Sequence, residues 1–206
     1  MTVRRMSQMT TRTAVESLEK YRAEVLLKDG SSLCLRPIMR EDEEKLASLC
    51  SRMSRYSLFL RFHHMVNEVP RDEVRRSCDV DYYDTFGLAA TLGDGTDERM
   101  VGVAHFYRLP SKDGAELALA VEDAYQGVGV GSHLLDHLIY IAREKRIRRF
   151  QAVVMSENQR VLSLLQKGGC RVNQDLEYGV CNVVLPIPPL PKSGASRTRS
   201  ACKSRL

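Results

Sequence analysis

The segment AYQGVGVGSHLLDHLIYIA, residues 124–142, carries the strongest structural signal in this chain. Glycine occupies every second position at Gly127, Gly129 and Gly131, and a leucine-rich segment with helical spacing follows. Alternating glycines remove Cβ atoms, so the backbone can approach a ligand closely and present its N–H groups. The start of the following helix adds unpaired N–H groups and a partial positive charge. The segment therefore predicts a binding site for an anion such as a pyrophosphate.

Three phosphate-binding motifs compete for this segment. A P-loop requires a lysine at the start of the helix, whereas Ser132 and His133 follow the last glycine here. A dinucleotide fingerprint requires a further glycine at position 132, which is again Ser132. The pattern Q-x-x-G-x-G fits at every fixed position, with Gln126, Gly129 and Gly131. The third motif is therefore the one the sequence favours.

The composition is that of one globular domain with charged ends. The chain has 206 residues, of which 43% are hydrophobic, enough to form a core. Its net charge of +5 arises in the last fifteen residues, which hold five basic residues and no acidic one. Removing these five from the 31 basic residues leaves 26, which equals the 26 acidic residues. Residues 1–191 are therefore formally neutral, and we expect no nucleic-acid partner.

Other classes of protein are not indicated. The six cysteines are irregularly spaced without a C-x-x-C pair, so neither a zinc site nor a disulfide framework is predicted. His133 and His137 have a metal-pair spacing but no third ligand is apparent, so we expect no metal. No apolar run approaches the ~18 residues of a membrane span, and the N-terminus lacks the apolar region of a secretory signal. These features predict a cytoplasmic protein without a membrane partner.

Hydrophobic patterning predicts a mixture of strands and helices. An Asp-Gly turn at residues 29–30 joins two apolar runs, which is typical of a β-hairpin. Further strands are predicted in TFGLAATL, MVGVAHFYRL, AELALAV, RFQAVVM and EYGVCNVVLPI. Helices are predicted in MREDEEKLASLCSRM, VPRDEVRRSC, residues 131–146 and ENQRVLSLLQKGG, and SLFLRF is predicted to form a short helix or a turn. The order predicts an α/β (α+β) domain with a single mixed, mostly antiparallel central sheet flanked by helices. We expect this domain at residues 23–187, between an N-terminal tail at 1–22 and a basic Pro/Ser/Arg-rich tail at 188–206.

In this order of elements the chain resembles the GNAT superfamily of N-acetyltransferases. That superfamily has a strand before the Q-x-x-G-x-G loop, a long helix after it, then a strand and a helix that opens near an asparagine, here Asn158. The front segment, LKDGSSLCLRPIMREDEEKLASLCSRMSRYSLFLRF, is similar to the opening of the bacterial Pat-like protein lysine acetyltransferases. The resemblance covers about residues 24–185. It departs at the end of the second helix, where Gly168 and Cys170 stand for the usual leucine and aromatic residue.

The resemblance implies acetyl-CoA as cosubstrate and assigns residues to it. Backbone N–H groups of the glycine loop would hold the pyrophosphate, the end of the preceding strand would pair with the pantetheine arm, and Asn158 would contact the coenzyme from the second helix. Asn158 could equally be a helix cap. The residues expected to bind acetyl-CoA are Leu119, Ala120, Val121, Gln126, Gly127, Val128, Gly129, Val130, Gly131, Ser132 and Asn158.

Glu116 is the candidate catalytic residue. It is the only charged residue within the apolar strand AELALAV. An acceptor amine is protonated near neutral pH, so a base must remove its proton before attack on a thioester. In the Pat-like branch a strand glutamate ten residues before the motif glutamine serves as general base, and Glu116 has that position. Partial burial would make it a better base; otherwise it is an edge-strand glutamate facing solvent.

These observations predict an enzyme that transfers acetyl from acetyl-CoA to a primary amine by direct attack. The resemblance favours a protein lysine as acceptor, plausibly on an acyl-CoA synthetase. Two alternatives stay open from the sequence: acetylation of a small amine or amino acid, and an acyl-CoA-binding sensor without turnover.

Overall fold

The computed structural model describes residues 18–175 and 179–189 and contains one eight-stranded sheet. The strands run in the spatial order β1-β2-β3-β4-β5-β6-β8-β7, and only the β5–β6 pair is parallel. The expected mixed, mostly antiparallel sheet is therefore confirmed. The strands are β1 Ala23–Leu26, β2 Ser32–Pro37, β3 Thr85–Leu92, β4 Arg99–Arg108, β5 Gly114–Val121, β6 Arg149–Met155, β7 Arg171–Asp175 and β8 Val180–Pro186.

In the described ranges, five α-helices of eight or more residues flank the sheet, and the hydrophobic core forms two clusters. Buried side chains of α4 and α5 belong to the larger cluster, which includes Phe86, Phe106 and Phe150. Those of α1, α2 and α3 belong to the smaller one. Strands β3 and β4 contribute to both clusters and are buried along most of their length, as their nearly continuous apolar sequences require. The helices are α1 Glu43–Arg52, α2 Arg55–Phe62, α3 Arg71–Cys78, α4 Val130–Glu144 and α5 Gln159–Lys167.

Residues of the front segment form a group of ion pairs between β2 and the start of α1. Arg36 of β2 donates two hydrogen bonds to the buried carboxylate of Asp42, each of 2.7 Å, and two more to Glu98. Asp42 in turn accepts the backbone N–H of Met39 at 2.8 Å. Hydrogen bonding to Arg36 lowers the pKa of Glu98 to about 2. The "RPI…ED" pattern thus encodes an ion-paired junction that fixes α1 against the sheet.

Strands β5 and β6 separate partway along their length, and this creates the space for a site. Their parallel pairing comprises only Gly114–Glu116 with Arg149–Gln151. Beyond Glu116, residues 117–121 of β5 keep their β4 partners but have no strand on the β6 side. Glu116 therefore lies where the two strands part.

The limits of the folded unit differ from the sequence expectation. Leu18 and Tyr21 are buried in the larger cluster, so the expected tail at 1–22 is wrong in its last residues, because the domain needs these side chains to cover the sheet. At the other end Ile187 is buried. Strand β7 was not expected; it forms the sheet edge, so EYGVCNVVLPI does not close the sheet. The remaining expectations for the tails, at 1–17 and 190–206, lie outside the described residues.

Candidate active site

The loop between β5 and α4 presents a row of free backbone N–H groups. Within the described part of the chain, no hydrogen bond is donated by the backbone N–H of residues 127–132. Helix α4 begins after Gly129, which has no side chain to cap the first turn. The N-terminus of a 15-residue helix adds a partial positive charge at the same place. This arrangement can bind an anion.

The three glycines serve two different purposes. Gly127 and Gly129 have φ values of +85° and +120°, which disfavour residues with a Cβ. Gly131 has ordinary helical geometry, but a Cβ there would lie 3.6 Å from both Leu119 of β5 and Leu164 of α5. The first two glycines shape the loop, and the third keeps open the slot between β5 and α5.

A cavity of about 690 Å³ connects this loop with the space beside β5. Its volume is typical of a cofactor or substrate site. Of the predicted residues, nine line it: Leu119, Ala120, Val121, Gln126, Gly127, Gly129, Gly131, Ser132 and Asn158. Val130 is fully buried in the core, and Val128 packs against the core while its carbonyl accepts the backbone N–H of Lys28 at 3.2 Å. These two valines are therefore anchors of the loop.

Gln126 and Asp123 hold the loop against α2. The backbone N–H of Gln126 donates a hydrogen bond to the carbonyl oxygen of Asp123. The expectation that this N–H group faces a ligand is therefore wrong. The Gln126 side-chain amide instead donates to Ser57 and to the carbonyl of Val121. The Asp123 carboxylate accepts from Ser54 N–H, Ser54 Oγ and Ser57 Oγ at 2.7–2.9 Å. Burial raises the pKa of Asp123, but these hydrogen bonds outweigh it and leave the pKa below its ordinary value.

Asn158 caps a helix, and it also lies in the cavity wall, where the coenzyme contact was expected. Its side-chain oxygen accepts the backbone N–H of Val161 at 3.3 Å and caps α5. The residue also lines the cavity. A cap at this point orients the first turn of α5 toward the slot.

Basic side chains that the motif does not specify surround the loop. Lys28, Arg160 and Lys167 line the cavity from the β1–β2 turn and from α5. Arg160 donates to the Gln126 side-chain oxygen at 2.6 Å, which places its guanidinium beside the loop. These cations can neutralise phosphate charge. The sequence offered little signal for them, because each comes from a different segment.

Glu116 lies outside the lining of this cavity, and its side chain is exposed. Glu116 therefore faces solvent, which is one of the two alternatives that the sequence left open, and it lacks the partial burial that would make it a better base. Its register partners are Tyr107 on β4 and Gln151 on β6, so the three side chains share one face. That face continues along β4 to His105, whose ring stacks on Tyr107 at 5.8 Å.

Next to this face lies a second cavity of about 40 Å³. His105 is buried there and its Nε2 lies 2.8 Å from the carbonyl oxygen of Ser77. Burial lowers the pKa of His105 to about 4, so the ring is neutral at physiological pH. Burial raises the pKa of the adjacent Tyr107. The small cavity shares three lining residues with the large one: Met53, Arg61 and Ala120.

One member of the histidine pair on α4, His137, has a packing role. Nε2 of His137 lies 2.7 Å from the carbonyl oxygen of Tyr21, a contact that joins α4 to the start of the domain. Among the described residues no three His, Cys, Asp or Glu side chains converge as metal ligands would. The helices in the described ranges are all too short or too polar to cross a membrane.

Comparison with known proteins identifies the class. The model of the acetyltransferase (GNAT) family matches residues 56–169, more than half of the chain. This chain belongs to that family, whose members are acyltransferases that use acetyl-CoA. The matched range contains α2, the glycine loop, the β5–β6 opening and α5.

Individual relatives refine the comparison. The GNAT domain of S. lividans PAT is 32% identical and superposes with a TM-score of 0.75, covering 81% of this chain and 97% of that one. Acetyltransferase Pat of Mycolicibacterium smegmatis is 30% identical over 171 residues, 81% of this chain and 49% of that protein. An acetyltransferase of Pseudomonas aeruginosa is 27% identical over 138 residues, 67% of this chain and 74% of that protein. The chain thus spans about half of the Pat relative and three quarters of the other. These matches confirm the resemblance to Pat-like acetyltransferases.

Proposed function

We propose that this chain is a protein lysine N-acetyltransferase in which Glu116 is the general base. The observation that carries the proposal is the continuity of the site. The large cavity leads from the free N–H groups of residues 127–132 to the unpaired edge of β5, and Glu116 lies where that edge begins. A phosphate group at one end would therefore place the reactive end of a long cosubstrate near the carboxylate.

Each part of the site has a task in this proposal. The N–H groups of the loop bind the pyrophosphate, and Lys28, Arg160 and Lys167 neutralise its charge. Residues 119–121 offer the free edge of β5 for strand-like pairing with the pantetheine arm. Bound acetyl-CoA supplies the acyl thioester. Glu116 accepts a proton from the acceptor ammonium, which is protonated at neutral pH because a free lysine has a pKa of about 10.4.

The surroundings of Glu116 support a protein acceptor over a small amine. Small-molecule sites usually enclose most of their ligand, whereas Glu116 is exposed on an open sheet face. The same face of β6 carries Gln151 and the half-exposed Val153. A lysine projecting from a folded partner can reach such a carboxylate. A protein acceptor is also what the resemblance to Pat-like protein lysine acetyltransferases implies, and on that resemblance an acyl-CoA synthetase is the first candidate.

Acetyl transfer from labelled acetyl-CoA into a whole-cell extract tests the proposal. The extract is separated into protein and small-molecule fractions, and mass spectrometry identifies labelled proteins. The wild type is compared with Glu116→Gln and with the surface control Glu24→Gln, which changes an exposed residue of β1. We expect label in the protein fraction, reduced at least about 100-fold by Glu116→Gln and unchanged by Glu24→Gln.

Other outcomes would redirect the assignment. Label confined to small molecules would indicate an amine or amino-acid acetyltransferase. Intact acetyl-CoA binding without label in either fraction would indicate a sensor. Full activity of a folded Glu116→Gln variant would rule out this residue as the base.

A further inference from the structure

Arg61 lies at the junction of the two cavities. It is on the last turn of α2 and lines both the 690 Å³ cavity and the 40 Å³ cavity. The other two shared residues are Met53 and Ala120, both small or flexible apolar side chains. Ala120 is also one of the β5 residues beside which the thioester is expected. A group attached to that thioester, or an acceptor approaching it, would therefore meet Arg61.

Arg61 has no charged partner within the part of the chain that the structure describes. Its side chain is partly buried and packs 5.1 Å from the Phe62 ring, but its guanidinium makes no ion pair or hydrogen bond there. A partly buried guanidinium without an anion has unused binding capacity. The phosphate end has its own cations in Lys28, Arg160 and Lys167. Arg61 is consequently available for a different anion.

The small cavity is suited to a short chain with a polar end. Its volume of about 40 Å³ can hold a small group or a water. Burial keeps the neighbouring His105 neutral, so Arg61 is the one positive charge among the described lining residues at neutral pH. The acidic lining residue Glu73 is already paired with Arg76 at 2.6 Å. Its apolar lining includes Leu46, Leu58, Phe62, Val69, Val74 and Val103, besides the shared Met53 and Ala120.

We infer that Arg61 binds a carboxylate brought to this junction, carried either by the acyl group or by the acceptor. A guanidinium binds a carboxylate with two parallel hydrogen bonds, which makes arginine selective for this group. The acyl source would be a short dicarboxylic chain such as malonyl or succinyl. The acceptor source would be an acidic residue beside the target lysine or the α-carboxylate of an amino acid. The inference rests on the proposed placement of the thioester.

Titration calorimetry with acetyl-CoA, malonyl-CoA and succinyl-CoA tests the acyl source directly. The variants are Arg61→Gln, Arg61→Lys and the matched control Arg55→Gln, which changes an exposed arginine of the same helix. If the acyl chain carries the carboxylate, wild type binds a dicarboxylic ester at least about 10-fold more tightly than acetyl-CoA. Arg61→Gln abolishes this preference, Arg61→Lys keeps part of it, and Arg55→Gln keeps all of it.

A second arm tests the acceptor source. Acetyl transfer is measured with paired lysine peptides that differ only by Glu or Gln beside the lysine, and with a free amino acid and its amide. If the acceptor carries the carboxylate, the acidic member has a KM at least about 10-fold lower, and Arg61→Gln removes the difference without a matching loss of kcat.

The two arms separate failure of this inference from failure of the proposed function. Equal affinity for the three esters, together with equal KM for the paired acceptors, would overturn the role of Arg61 while acetyl transfer persists. Absence of transfer to any acceptor would overturn the proposed function; the ester affinities would then still decide the acyl source, and calorimetric binding of the paired peptides to wild type and Arg61→Gln would decide the acceptor source.

Discussion

The two ends of the large cavity are built in different ways. One end, called the phosphate end after its proposed ligand, presents free backbone N–H groups of six consecutive residues, 127–132, and glycines that shape the loop and leave space beside it. The opposite end depends on side chains from distant segments: Arg61 of α2 lines the cavity, whereas His105 of β4 and Glu116 of β5 lie outside its lining. A backbone site is encoded locally and tolerates little change in the glycines. A side-chain site depends on the fold, and its chemistry can change by single substitutions.

The largest effect is expected at the phosphate end, from Gly131→Leu. A Cβ at this position would make ordinary contacts, but a larger side chain would extend between Leu119 and Leu164 into the slot. We expect acetyl-CoA binding to weaken at least about 100-fold while the melting temperature changes little, since leucine favours a helix. Calorimetry and thermal unfolding measure both quantities. Gly131→Ala is the control, with less than about a threefold change; wild-type affinity of the leucine variant would show that the slot is not used.

Asp123→Ala removes a link between α2, which carries Arg61, and the glycine loop of the phosphate end. Three hydrogen bonds from Ser54 and Ser57 to this carboxylate join α2 to the loop. Their loss should reduce the free energy of unfolding by about 2 kcal/mol and raise the KM for acetyl-CoA. Denaturant unfolding and steady-state kinetics check the two effects. Stability and KM both equal to those of the wild type would mean that α2 and the loop are positioned independently.

Arg160→Gln should have a smaller effect, confined to the phosphate end. Its guanidinium lies beside the loop through its contact with Gln126, where it can bind a phosphate. Acetyl-CoA affinity should fall about fivefold, and the dependence of affinity on salt should become weaker. Arg171→Gln on the exposed edge strand β7 is the matched control. An equal loss in both variants would point to general surface charge.

His105 gives a pH test of the opposite end. Burial lowers its pKa in the folded state to about 4, against 6.5 when unfolded. Between these values the unfolded state binds one more proton, so stability should fall as the pH falls, by about 1.4 kcal/mol per pH unit. Chemical denaturation from pH 6.5 to 5 measures this slope before Glu98 contributes. His105→Gln should flatten it and the exposed His64→Gln should not; a flat wild-type curve would show that His105 is not buried in solution.

Much of the fold was accessible from the sequence because its elements are strongly patterned. The Asp-Gly hairpin, the apolar strands β3 to β6 and helices α4 and α5 are all confirmed. Strand β7 was missed because its exposed sequence, with Arg171, Val172 and Asn173, shows no apolar alternation. The start of the domain was missed because Leu18 and Tyr21 lie in a polar segment whose burial depends on tertiary packing.

The candidate site shows the same difference between features with a local sequence pattern and features that depend on tertiary packing. Glycine spacing and the family resemblance together located nine of the residues that line the cavity. The sequence could not show that the Gln126 side chain holds the loop against α2, nor that Arg61 lines both cavities. Both features depend on the position of α2. The role of Glu116 stays a prediction: its position at the strand opening supports that role, and its side chain is exposed.

A crystal structure with a bisubstrate analogue, coenzyme A joined through an acetyl linker to a lysine peptide, tests the central claim most directly. The account predicts the pyrophosphate within hydrogen-bonding distance of the N–H groups of residues 127–132. It also predicts the lysine nitrogen beside the opening of β5 and β6, within about 3 Å of the Glu116 carboxylate or one water away. Phosphates bound elsewhere, or a lysine nitrogen remote from Glu116, would contradict it.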